Sequence, residues 1–96
     1  MKALEMIDHN VDIYKRTSQL IPTKGRNYLD SPIKGEVRVI NTREDLAADF
    51  TDMVGYIVAT RPDDKHSLVL LPTCMRGKKL YGMMISFAPD DIVRID

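Results

Sequence analysis

Apolar and polar positions along the chain follow two different rhythms. Within residues 1–20, Leu4, Ile7, Val11 and Tyr14 recur at intervals of three, four and three, the spacing that lines one face of an α-helix. The other side carries Lys2, Glu5, Asp8, Asp12, Lys15 and Arg16, with His9 beside them. Thr17, Ser18 and then Pro22 end the pattern, because proline disfavours helix at the residue before it. An N-terminal amphipathic helix is therefore predicted within residues 1–20. A helix this short is marginal by itself in water, so its stripe has to pack on its own domain or on a partner.

From Glu36 onward the period becomes two. "EVRVI" sets Val37 and Val39 on one face and Arg38 on the other, while "MVGYIVAT" is apolar on both faces, as a central strand is. "HSLVLLP" is similar and ends at a proline. "KLYGMMISFA" alternates Tyr81, Met83, Ile85 and Phe87 against Leu80, Gly82, Met84 and Ser86, and "IVRI" follows a tight turn at "PDD". Five short strands joined by polar turns predict a small β-barrel over residues 36–96. Residues 21–35, with Pro22, Gly25, Pro32 and Gly35, read as an irregular connection. "RPDDKH" suits a hairpin turn, and Gly77 in "TCMRGKK" is free to take a positive φ. The first loop, residues 41–52, is too long for a tight hairpin. Its Leu46 and Phe50 are expected to fold back over the mouth of the barrel.

Two stretches carry a resemblance. "KGEVRVI", entered through Gly35, and "DMVGYIVAT", with Gly55 just inside it, resemble the glycine-and-valine core of KOW-type domains. The succession of strand, long loop, three central strands, one 3₁₀ turn and a short last strand is similar to an SH3-like barrel over roughly residues 33–95. The resemblance implies a mainly β fold, a five-stranded SH3-like barrel preceded by an α-helix, forming one domain. It also implies a small binding module, for a protein or, as in KOW domains, for nucleic acid in transcription or translation. The first loop departs from the usual basic pattern, carrying Glu44, Asp45, Asp49 and Asp52 against Arg43. The chain also has no tryptophan, which lines the proline-peptide groove of signalling SH3 domains.

Composition narrows the choice. The 96 residues provide one core, and 44% hydrophobic with 29% charged residues is the balance of an ordinary globular domain. Fourteen basic and fourteen acidic residues cancel, so no overall field steers the chain to a phosphate backbone. No apolar run approaches the roughly 18 residues of a membrane span, and charges interrupt the N-terminus where a signal peptide would be apolar. A cytoplasmic protein without membrane contact is expected, and the single Cys74 suits a reducing compartment.

Candidate chemistry is sparse. His9, His66 and Cys74 are scattered singly, without the spacing of a metal site. Cys74 lies near Arg76, Lys78 and Lys79, which could lower a thiol pKa, but a usable site also needs a base, and the only nearby histidine, His66, is one strand away. Asp63–Asp64 and Asp90–Asp91 sit beside prolines and read as turn formers. No phosphate-loop spacing occurs. No catalytic residue, metal, cofactor or small-molecule substrate is expected. Nucleic-acid contact, if made, would fall to Arg61, Lys65, Arg76, Lys78 and Lys79, with Tyr56 and Tyr81 as stacking rings. Protein contact would fall to the helix stripe Leu4, Ile7, Val11 and Tyr14 and to Leu46 and Phe50 of the first loop. Neutral charge and an acidic first loop favour a protein partner or a second copy of the chain over nucleic acid.

Overall fold

Helix α1 runs from Ala3 to Arg16, with Glu5 in its first turn and Lys15 and Arg16 in its last, each complementing the helix dipole. The computed structural model describes residues 3–16, 28–30, 35–44, 46, 49–77 and 79–95, and leaves the side chains of residues 3, 4 and 28–30 outside that description. The buried face of α1 comprises Met6, Ile7, Asn10, Ile13 and Tyr14, while Val11 is only partly covered. The expected stripe is thus turned by somewhat less than one residue step of about 100°. Asn10, the one polar member, lies at the middle of the covered face.

Among the described residues, six strands form one sheet: β1 (Tyr28–Asp30), β2 (Glu36–Val39), β3 (Val54–Thr60), β4 (Ser67–Arg76), β5 (Lys79–Phe87) and β6 (Ile92–Arg94). Their order is β1-β5-β4-β3-β2-β6, and every neighbouring pair is antiparallel. A 3₁₀ turn, Pro89–Asp91, precedes β6. The five strands expected from the two-residue period all form. β1 is additional and falls inside the stretch expected to be irregular, where three residues between prolines are too few to set a period. β4 also continues past Pro72 instead of ending there. With β1 and β6 at its two edges, the sheet is open among the described residues, and a closed barrel is not seen there. The fold is mainly β with one N-terminal helix.

Both faces of the sheet are apolar. One carries Val37, Val39, Val69, Leu71, Met83 and Phe87 and is joined by Ile13 and Tyr14 of α1 and by Phe50 and Met53. The other carries Val54, Tyr56, Leu70 and Leu80 and is joined by Met6 and Ile7. One short helix reaches both clusters because it sits where β3 and β4 part. Their pairing stops at Tyr56 and Leu70, so Val54 and Pro72, two residues on, would be the next hydrogen-bonded pair. Proline has no N–H to give the Val54 carbonyl. The Asn10 carboxamide fills the gap. Its Nδ2 donates to Val54 O at 2.7 Å and to Pro72 O at 2.9 Å, and its Oδ1 accepts from Val54 N at 2.9 Å. Just beyond Pro72 the β4–β5 register shifts by one residue, a bulge. Opposite it Gly82 packs so closely that a Cβ there would lie 2.1 Å from Leu71 O.

Candidate functional site

The first loop is held down at both ends. Phe50 is buried and meets the Tyr14 ring edge to face, with centroids 6.2 Å apart. Its backbone N–H donates to Thr42 Oγ1, and the Thr51 N–H donates to Asp49 Oδ1. Hydrogen bonds from Thr51, side chain first and backbone second, hold the Asp49 carboxyl below its usual range. Asp52 takes a φ of 74°, and its carbonyl accepts from Arg38 and lies 2.8 Å from His9 Nε2, which ties the loop to β2 and α1.

These contacts change what the expected protein-contact residues can do. Ile7, Tyr14 and Phe50 are core residues of this chain, and the helix stripe packs on its own sheet. Val11 and Leu46 are partly buried against the same clusters. The side chain of Leu4 lies outside the described residues. The tyrosine hydroxyl of Tyr14 donates to Met83 Sδ, and burial raises its pKa well above the ordinary value.

The expected nucleic-acid contacts are also dispersed. Arg61 and Lys65 lie in the β3–β4 hairpin, while Arg76 and Lys79 flank the β4–β5 turn; Lys78 lies outside the described residues. The ten residues of β4 separate the two groups by about 30 Å at a rise of about 3.3 Å per residue. Tyr56 is 4% exposed, and burial first, then the Glu36 charge, pushes its pKa up to about 12, so its ring cannot stack on a base. Tyr81 is half-buried, with the Arg76 guanidinium 5.9 Å from its ring centre. Gly77 at the turn has a φ of 61°, as expected.

A depression lies at the base of the β3–β4 hairpin. It encloses about 410 Å³ and is lined by Ala59, Thr60, Arg61, Pro62, His66, Leu68 and Ser86. Ala59 pairs with Leu68 and Leu68 with Ser86, so three strands place these side chains in one row. Asp64 organises the rim. Its carboxylate accepts from Arg61 Nε at 3.1 Å and Nη2 at 2.6 Å, and its Oδ1 accepts from the His66 backbone N–H at 3.1 Å. The His66 Nδ1 is 3.2 Å from Asp64 Oδ2. That backbone N–H, with the charge of Arg61 adding, keeps the Asp64 carboxyl below its usual range.

A third feature is the outer face of the β2–β6 pair. Val93 and Ile95 are 45% and 39% exposed there and Ile40 is 50% exposed, beside Arg38, which pairs with Val93. Among the described residues no three His, Cys, Asp or Glu side chains gather as a metal would require, and no helix is long and apolar enough to cross a membrane.

Comparison with known protein families, with curated proteins and with solved structures found no match.

The hairpin depression and the β2–β6 patch were not legible as sites. Alternation puts Ala59, Leu68 and Ser86 on one face of their strands, but only the pairing register shows that they adjoin. The sequence signal for Asn10 was present: a polar residue among Met6, Ile7, Ile13 and Tyr14, with a proline inside a strand.

Proposed function

We propose that this chain is a small non-catalytic binding module of SH3-like topology that acts through a protein partner. The observation that carries this reading is that the cations expected to contact nucleic acid are divided between the two ends of β4, Arg61 and Lys65 at one and Arg76 and Lys79 at the other. A nucleic-acid backbone is bound by neutralising successive phosphates, which calls for a continuous basic track. Here Arg61 is paired with Asp64, and Arg76 and Lys79 stand at the far end of the strand. Apolar side chains, by contrast, remain exposed at Ile40, Val93 and Ile95. The strand order supports the SH3-like reading, since the last strand returns to pair with the first strand of the meander.

The test is affinity capture from a native lysate with the intact chain and with Val93→Lys/Ile95→Lys. A defined protein held by the first and lost by the second is expected. The same proteins retained by both would remove the β2–β6 face from the reading, and nuclease-sensitive capture would reverse it.

A second reading, a KOW-like nucleic-acid module, is favoured by one cluster: Arg76 over Tyr81 with Lys79 adjoining. It requires binding that weakens steeply with salt, with a log–log slope of about −0.9 per phosphate contact on duplex DNA. A mobility-shift assay at low salt that shows no complex would dispose of it.

A further inference from the structure

We propose that the depression at the base of the β3–β4 hairpin seats an aromatic ring bearing one hydrogen-bond donor, the chemistry of a tyrosine or tryptophan side chain on a protein partner. The proposal rests on the protein-binding reading and adds the recognised group. Three properties of the site point to this ligand.

The first is shape. Ala59 and Ser86, both small, flank Leu68 across three strands and leave a hollow with an apolar floor. Its volume of about 410 Å³ lies within the range of ligand pockets, roughly 300–1,000 Å³, and leaves room for a single ring.

The second is the tautomer of His66. Its Nδ1 faces two acceptors, Asp64 Oδ2 at 3.2 Å and Asp64 O at 3.4 Å. A nitrogen facing acceptors carries the proton, so Nε2 of the neutral ring carries the lone pair. His66 lines the depression, and with Nδ1 turned to Asp64 its Nε2 is the ring nitrogen left to accept, so a complementary ligand supplies a donor.

The third is the guanidinium of Arg61. Two of its nitrogens are held by the Asp64 carboxylate, which fixes the plane of the group at the rim. A guanidinium plane held in this way favours an aromatic face over an aliphatic chain. Asp64 acts as the positioning residue for both rim groups. The other charged residues of the hairpin are Asp63 and Lys65, both exposed, and the β5 lining residue is the uncharged Ser86.

The test is a titration of the full chain, followed by amide NMR, with p-cresol and with 4-methylanisole, which has the same ring but no donor. Saturable shifts centred on Ala59, Leu68 and Ser86 are expected, with p-cresol binding roughly three- to tenfold more tightly, the worth of one net hydrogen bond. His66→Phe, checked for an otherwise unchanged spectrum, should erase that preference while retaining ring binding. Ser86→Leu, which fills the floor, should abolish binding of both. Equal affinity for the two probes, a preference that survives His66→Phe, or shifts spread over the surface would overturn the proposal. Lysate capture by the intact chain would then stand or fall separately, so loss of this site is distinguishable from loss of the protein-binding reading.

Discussion

Asn10 ties α1 to the seam between β3 and β4 through three buried hydrogen bonds. Replacing it with alanine leaves the Val54 N–H and the carbonyls of Val54 and Pro72 without their buried partner. Unsatisfied buried groups cost roughly 1–3 kcal/mol each, with partial relaxation, so a loss of about 3 kcal/mol is expected in urea unfolding. Asn10→Asp is a sharper probe. Ionised, it faces two carbonyl oxygens with no donor; protonated, it can supply one. Its folded pKa is therefore raised above the unfolded value. The stability it retains is present below the ordinary carboxylate range and lost as pH rises through the folded pKa. Wild-type unfolding measured alongside should lack that loss. Phe50 is a simpler case. Truncation to alanine removes a buried ring and its edge contact with Tyr14, with an expected cost of about 3–5 kcal/mol.

Among the elements, β4 and β5 set the shape of the sheet through their bulge and the glycine opposite it. In Gly82→Ala the new methyl would collide with backbone, Leu71 O at 2.1 Å and the Pro72 Cα at 2.6 Å, which cannot swing aside. Gly77→Ala would meet nothing within 4 Å but would force a φ of 61° on a residue with a Cβ. The first variant is expected to lose about 3 kcal/mol or to fail to fold, the second about 1 kcal/mol, as thermal unfolding of the pair would show. Similar losses would mean that the sheet flexes at Gly82. The elements also mark how far the sequence could be read. Val37 and Val39, or Met83, Ile85 and Phe87, repeat a period long enough to announce a strand. Tyr28–Asp30 does not, since β1 owes its existence to a register with β5 that lies far along the chain. The helix was legible in extent but not in facing, because Asn10 counted as polar until its partner gap at Pro72 was in view. The hollow at Ala59, Leu68 and Ser86 depends on three strands at once and left no local trace.

For the whole molecule, the burial of two tyrosines sets the alkaline limit. Tyr56 is pushed up to about 12, and Tyr14 is raised further, against an ordinary value of about 10. Between those values the unfolded chain releases phenolic protons that the folded chain keeps. The unfolded state then binds fewer protons, and stability falls as pH rises. Full stability is expected below about pH 10, with a decline above it. Tyr56→Phe should flatten that decline in denaturant midpoints taken across the alkaline range; an unchanged slope would assign it elsewhere. The seam at Pro72 has a consequence of its own for the dynamics of the domain. The Val54 amide donates to α1, while the Tyr56–Leu70 pair belongs to the ladder between β3 and β4. Hydrogen exchange at Val54 thus follows the lifting of the helix, and exchange at the neighbouring pair follows the opening of the strands. One backbone amide serves as a gauge of whether the helix is seated, readable without any label.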